Sequence, residues 1–429
     1  MITSKKFYNE KIYSIEKKLT SPKILNHCRV CEAKNFKTVL KLKDTPLEDQ
    51  FLKEKKTQNT FPLEVAMCQD CSYVFLTHTI SADISYESYI YESAITVGLT
   101  KHFQDYANEI INTYDIKKNS LIIDLGSNDG SMLSAFKEKK MKTLGVEPAK
   151  EISKIANKKG LTTINDFFSS KVADEIISNY GHANVITANY MFANIDDIKD
   201  FIIGVKKIMR EDGVFIIQTG YHPLQFEKNM FDYIYHEHFS YFTIHSLEVL
   251  FKKFDLEIID AKIFNHKGSS LRVTIKKKND KNKKSKEIQN LIKIELEKNY
   301  NSNNIFDHMI TNIKKEKNKL ISELKQIKKE GNKIVGLGAS HSTTTLFYHY
   351  ELREYIDVLI DDNPKKHKTY SPGFQIPVYD NSYLIRENIK YIVILAWQHQ
   401  ETILKKYQNF VKQGGIIIIP LPLFRVIYP

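Results

Sequence analysis

The chain has 429 residues, of which 42% are hydrophobic and 27% charged, enough apolar material for globular cores in two or three domains. Its 63 basic and 51 acidic side chains leave a net charge of +12, but the run from Lys276 to Lys286 holds much of the excess, so charge alone does not select nucleic acid, a membrane surface or any other anionic partner. No apolar run is long enough to span a bilayer, the N-terminus has no signal-peptide core, and all four cysteines sit in CxxC pairs, which fits a reducing cytoplasm and a metal site better than disulfides.

The first segment, residues 1–85, carries both pairs. Cys28 and Cys31 are separated from Cys68 and Cys71 by 36 residues. Two residues between cysteines let both thiolates reach one ion from a tight turn, and two such turns complete a tetrahedral four-thiolate site with no open position. The expectation is a structural zinc ion that supplies much of the segment's folding energy, on the order of 10 kcal/mol.

Residues 86–275 open with a helical pattern over Leu99 to Asp115. Short apolar runs then alternate with helical ones: "LIIDLG", "TLGVEP", "NVITANY", "GVFIIQTG" and finally "SSLRVTI". That alternation predicts a parallel α/β sheet. The first run leads into Asp124, Gly126, Asn128 and Gly130. Gly126 permits a sharp turn, and Gly130 lets the following helix approach a ligand closely. Glu147 closes the next strand, where a carboxylate accepts both ribose hydroxyls of a nucleoside. Asp166, Phe167 and Asn189 stand at the next two strand ends. Together these resemble the S-adenosylmethionine-binding sequence of class I methyltransferases. An NAD-type loop needs GxGxxG, and this one reads GxxxG.

The stretch "IYHEHFSYFT", Ile234 to Thr243, admits three readings. It is an aromatic corner with satisfied histidines, a metal site with His236 and His238 on one face of a strand, or the floor of an active site. Residues 276–429 begin with a solvated Lys/Asn-rich stretch. An amphipathic helix closed by Gly331 follows, then a second α/β alternation: "KIVGLGAS", "YIDVLIDDNP", "KYIVILAW", "GGIIIIPLP".

A domain with two CxxC pairs, a methyltransferase core and a second α/β domain, in that order, resembles the sugar C-methyltransferases. The specific pieces are "YIYHEHFSYF", "GSSLRVTI", "LIDDNPKKHKTYSPGFQIPV" and "ILAWQHQETI". The resemblance implies an α/β fold with a Rossmann-like class I core. It implies S-adenosylmethionine and zinc as cofactors, and a branch methyl added, commonly at C-3, to a nucleotide-linked 4-keto deoxysugar. His238 would be the base that forms the enolate, with Glu237 and Tyr235 binding or orienting the sugar and steadying the enolate oxygen. Tyr89 and Tyr91 sit where the family places active-site tyrosines, Tyr89 toward the cofactor and Tyr91 toward the chemistry. The C-terminal domain would bind the nucleotide. A metal at the two histidines has no part in such a reaction.

Two departures stand out. Ser342 occupies the place of an expected lysine in the Gly-rich loop of the C-terminal domain, and Asn194 that of an expected histidine. A phosphate at that loop would rest on backbone amides, His341 and threonine hydroxyls. The expected partner is a nucleotide sugar, with no nucleic acid and no membrane, for a monomer in the cytoplasm. The alternative is an O- or N-methyltransferase acting on another sugar, surface-polysaccharide or antibiotic precursor. A nucleic-acid methyltransferase is disfavoured because "NYMF" lacks the proline pair of amino-methylating enzymes, and a binding scaffold gives no reason for the 234–243 cluster.

Overall fold

The structure is a computed structural model that describes residues 22–81, 84, 92–95, 98–265 and 268–429. The N-terminal module is a small antiparallel sheet: β1 (Phe36–Lys41), β2 (Glu64–Cys68) and β3 (Val74–Leu76). Both cysteine pairs lie in tight turns. Glu32 N–H donates to the Cys28 carbonyl at 2.9 Å and Ser72 N–H to the Cys68 carbonyl at 3.0 Å. Glu32 and Ser72 adopt matching left-handed conformations, with φ of 68° and 57°. The fourth strand of this sheet comes from far along the chain: Ser240–Tyr241 pairs antiparallel with β3, Ser240 opposite Phe75 and Tyr241 opposite Val74.

The second module opens with the helix α1 (Leu99–Thr113). Its sheet contains β4 (Leu121–Leu125), β5 (Lys142–Val146), β6 (Thr163–Ile164), β7 (Ala183–Asn189), β8 (Met209–Gly220), β9 (Leu256–Phe264) and β10 (Ser270–Lys277). The spatial order is β9-β10-β8-β7-β4-β5-β6. All five residues of β4 are buried, as in a strand covered on both faces by helices. Strands β4 to β8 are parallel, so the loops at their C-terminal ends converge on one edge, where open α/β sheets bind ligands. The expectation of a wholly parallel sheet is corrected at its end: β10 runs antiparallel to β8 and pairs with β9 as a hairpin. Apolar runs report burial, not direction. The result is the class I methyltransferase architecture.

Helix α2 (Ser131–Glu138) follows the glycine loop. Helix α3 (Lys286–Glu297) arises within the Lys/Asn-rich stretch, just after the charge run, with Ser285 capping it through Ile288 N–H and Ile288 and Leu291 buried. The long helix α4 (Asn304–Lys329) falls where the amphipathic pattern predicts one, and Gly331 follows it with φ 77°. The C-terminal sheet has β11 (Ile334–Leu337), β12 (Val358–Ile360), β13 (Val378–Tyr379), β14 (Tyr391–Ile394), β15 (Ile416–Ile419) and β16 (Arg425–Ile427), in the order β13-β12-β11-β14-β15-β16. All pairings are parallel except the last. Helix α5 (His341–Tyr350) follows β11 and faces the second module. No described helix is long and apolar enough to cross a membrane.

Candidate active site

The four cysteine Sγ atoms lie within 4.8 Å of one another, with Cys28 to Cys71 at 3.6 Å and Cys31 to Cys68 at 3.4 Å. Four thiolates each about 2.3 Å from a tetrahedral zinc would stand about 3.8 Å apart. None of the four is in a disulfide. The donor set is all sulfur, leaves no open position and fits zinc.

At the C-terminal edge of the second sheet lies a cavity of about 310 Å³, lined among others by Asn128, Glu147, Phe167, Asn189, Tyr190 and Asn194. Glu147 is buried and holds the glycine loop in place: its carboxylate accepts from Asn128 N–H at 2.9 Å and Ala149 N–H at 2.8 Å. Each oxygen keeps a lone pair for another donor. Burial pushes the Glu147 carboxyl above its usual value, while those two amides pull it back. The side-chain oxygen of Asn189 is buried without a hydrogen-bond partner among the described residues. A strand-end carboxylate and an orphaned amide oxygen in one cavity fit the hydroxyl and amine donors of a nucleoside-bearing amino acid.

The other sequence-predicted cofactor residues divide. Gly126 lines the cavity with φ 67°, and a Cβ there would meet Met191 Cγ at 2.7 Å. Gly130 does not line it; a side chain there would run into Leu161, so this glycine serves the packing of α2. Asp124 lies behind the loop, accepting from Thr187 Oγ1 at 2.6 Å, and burial raises its carboxyl to about 7. Asp166 is exposed and accepts from Phe167 N–H at 2.8 Å; the cavity wall uses Phe167 and Phe168 instead. Tyr89 and Tyr91 lie outside the described residues.

A second cavity of about 130 Å³ adjoins the first and shares Tyr190 and Asn194 with it. Its wall includes Tyr235, Glu237, His238 and His341. The extended segment expected for residues 234–243 is in fact a turn, closed by His238 N–H donating to the Tyr235 carbonyl at 2.9 Å. The turn sends the two histidines to different partners, so they do not share a face. His238 Nδ1 stands 3.0 Å from the Tyr233 carbonyl, which can only accept, so Nδ1 carries the proton and Nε2 the lone pair. The Tyr235 hydroxyl is 2.9 Å from that Nε2, and the two rings stack with centroids 4.0 Å apart. Burial lifts the Tyr235 phenol well above its ordinary value, so it keeps its proton and acts as a donor.

His236 is 1% exposed and points away. Its Nδ1 is 2.7 Å from Glu48 Oε1 and its Nε2 is 3.3 Å from the Pro62 carbonyl. Two acceptors require two N–H groups, which makes it an imidazolium. Burial opposes that charge, but the Glu48 carboxylate outweighs burial, so the pKa of His236 is raised and that of Glu48 lowered.

The C-terminal domain closes the turn from the other side. Thr345 Oγ1 donates to the Ile234 carbonyl at 2.9 Å. Buried Asp232 accepts from Trp397 Nε1 at 2.8 Å and Gln398 Nε2 at 3.0 Å. His341, first residue of α5, lies 3.5 Å from Glu237 Oε1 and 3.8 Å from Asp49 Oδ2. In the Gly-rich loop, Ala339 N–H donates to Asp361 at 2.7 Å and Ser340 N–H to Thr343 Oγ1 at 3.1 Å, so two of the amides envisaged for a phosphate already have partners. Ser342 is buried, with its hydroxyl 3.3 Å from Gln398 Nε2. Sequence reasoning missed Glu48, Asp49 and Tyr190. The first two carry no motif. Tyr190 had a structural signal only: φ 56° at the end of β7, beside the cavities.

Comparison with known proteins follows the same division. Residues 28–86 match a family described as a zinc binding domain, residues 90–261 a methyltransferase domain, and residues 265–422 a C-methyltransferase C-terminal domain. The C-methyltransferase NovU of Streptomyces niveus is 25% identical over 411 residues, covering 94% of this chain and 97% of that protein. A protein-lysine N-methyltransferase of Saccharomyces cerevisiae is 28% identical over 131 residues, covering 27% of this chain and 57% of its own length. Among solved structures, an S-adenosylmethionine-dependent methyltransferase from Clostridium acetobutylicum matches at 16% identity and a TM-score of 0.33, covering 42% of this chain and 92% of that one. With three family matches in this order and a relative aligned along nearly its whole length, the chain is similar throughout to C-methyltransferases with a zinc-binding N-terminal domain, and it is an S-adenosylmethionine-dependent methyltransferase.

Proposed function

We propose that the enzyme adds a methyl branch to the carbon beside the ketone of a nucleotide-linked 4-keto deoxysugar, with His238 as the base. The observation that carries this reading is the junction of the two cavities at Tyr190 and Asn194. The donor cavity opens directly onto a wall built from a histidine of defined tautomer, a carboxylate and a protonated phenol. S-adenosylmethionine, held by Glu147, Asn128 and Asn189, supplies the electrophilic methyl group.

A ketone acidifies the C–H next to it, and a neutral imidazole is matched to removing that proton near pH 7. The Tyr233 carbonyl keeps the His238 proton on Nδ1, so Nε2 faces the cavity as acceptor. Tyr235 donates to Nε2 at rest; when substrate enters, the hydroxyl swings to the sugar and frees the base. Glu237 accepts from sugar hydroxyls. The C-terminal domain receives the nucleotide portion, the four cysteines hold zinc, and zinc takes no part in the chemistry.

The test offers the purified enzyme a panel of 4-keto nucleotide sugars and identifies products by mass spectrometry. His238→Asn is expected to slow methyl transfer by about 10²–10⁴-fold, and to abolish exchange of the proton beside the ketone with deuterated water. A wild-type enzyme that methylates without ever exchanging that proton, joined by a fully active His238→Asn, would make it an O-methyltransferase.

A further inference from the structure

Removing a proton beside a ketone leaves negative charge on oxygen, and a base alone does not stabilise it. That charge calls for a donor aimed at the oxygen. The Tyr235 hydroxyl, once it leaves His238 Nε2, is one neutral donor. A second, cationic candidate on that wall comes from the C-terminal domain. His341 lines the same cavity as His238. Its Nε2 is buried, makes no hydrogen bond of good geometry among the described residues, and stands 3.5 Å from Glu237 Oε1 and 3.8 Å from Asp49 Oδ2. Its ring centroid lies 5.7 Å from that of Tyr235, whose own ring stacks on His238. Tyr235 is thus flanked by one imidazole with a lone pair and another whose Nε2 is held loosely between two carboxylates.

We propose that His341 is the electrophilic residue of the site, with its Nε2–H holding the substrate carbonyl oxygen while His238 takes the neighbouring proton. This inference rests on the keto-sugar reading above and adds a residue to it. The C–H pair moves into a C=C bond, the carbonyl π pair moves onto oxygen against His341, and the proton lands on His238 Nε2. The C=C pair then bonds to the methyl carbon as the methyl–sulfur bond breaks onto sulfur, the carbonyl re-forms, and His238 returns its proton to water.

Charge supports the geometry. The groups facing His341 are Asp49 of the N-terminal module, Glu237 of the turn, Lys366 of the C-terminal domain and the Tyr235 ring. Lys366 Nζ lies 2.8 Å from Asp49 Oδ1. Burial opposes a charge on His341, but Asp49 and Glu237 outweigh it and raise its pKa to about 9. It is therefore an imidazolium at neutral pH, contributed by a domain that holds neither the base nor the methyl donor.

The experiment compares full-length wild type, His341→Ala, His341→Gln and His341→Lys. It follows deuterium exchange of the 4-keto sugar without donor, kcat and KM for methyl transfer, affinity for S-adenosylhomocysteine, and thermal unfolding. His341→Ala is expected to lose about 10²–10³-fold in both exchange and kcat, with donor affinity and Tm unchanged. His341→Lys should recover part of the rate by restoring a cation. The wild-type kcat/KM should fall as pH rises past about 9, and that limb should be absent from His341→Ala. If His341→Ala does not fold, the near-isosteric His341→Gln must show at least a tenfold loss in kcat. Exchange and turnover within threefold of wild type in the variants overturn the role of His341 and leave the keto-sugar reading standing. A loss matched by a fall in Tm, or confined to KM, overturns it in favour of a domain contact. Absence of exchange in wild type itself sinks both.

Discussion

Replacing His236 by asparagine removes the cation from a buried pair while leaving its anion in place. Glu48 and His236 are each 1% exposed, and Glu48 Oε1 accepts from both the ring Nδ1 at 2.7 Å and the His236 backbone N–H at 3.0 Å. After the change only the backbone bond remains. Breaking a buried pair from one side costs about 3–5 kcal/mol, a large share of the roughly 5–15 kcal/mol that holds a folded domain together. Equilibrium urea unfolding at pH 6 should register that loss for His236→Asn and a similar one for Glu48→Gln. The double variant Glu48→Met/His236→Leu should recover most of it, since apolar replacement of both partners leaves no orphaned charge. The pH dependence has two limbs. His236 has a raised folded pKa, so its contribution is complete below the unfolded value of about 6.5 and is lost as pH climbs through the folded one. Glu48 has a depressed folded pKa, so its contribution is present above about 4.5 and is lost as pH falls through the folded one. The gap between wild type and variant should therefore be widest between about pH 4.5 and 6.5. A loss under 1 kcal/mol for His236→Asn, or a double variant worse than either single, would refute the pair as a structural clamp.

Elemental analysis should find about one zinc per chain, and Cys68→Ser should lower folded yield far more than it lowers the turnover of whatever folds. Glu147→Ala should weaken S-adenosylhomocysteine binding in calorimetry by about 1.5–3 kcal/mol for each charge-assisted hydrogen bond lost, with circular dichroism unchanged; unaltered affinity would displace Glu147 from the ribose site. Asp232→Ala strands the buried Trp397 N–H at a cost of about 1–3 kcal/mol, and limited proteolysis should then cut between the second module and the C-terminal domain faster than in wild type.

The parallel strands were legible because both of their faces are buried, so each appears as an unbroken apolar run such as the "LIIDL" of β4. The cysteine turns were legible because ligand spacing is a local constraint. Strand direction was not: "SSLRVTI" looks like its parallel neighbours, yet the hairpin with β9 turns it round. Helix α3 was hidden because it follows directly on the lysine run and only Ile288, Leu291 and Glu295 face inward. The conformation of Tyr235 to His238 was misjudged because two histidines two positions apart look like one face of a strand, whereas the turn is held by contacts to Glu48, Thr345 and the zinc-module sheet. Those partners lie in other modules, and no local pattern carries them. His341 was visible as a residue, but its meeting with Glu237 was not.

The two-residue strand Ser240–Tyr241 has a consequence for how the protein matures. It covers the outer edge of β3, and Tyr73 meets Ser240 across 167 residues of chain. A nascent chain that has not yet released this segment presents β3 as a bare edge with unpaired amides, the kind of surface on which strands from other molecules add. Closing so long a loop is among the later and costlier steps of folding. The event that seats His238 beside the donor cavity is the same one that seals that edge. Catalytic competence and resistance to aggregation therefore arrive together. Lesions that unseat the turn should remove the protein from solution, so that a well-behaved but inactive pool does not build up.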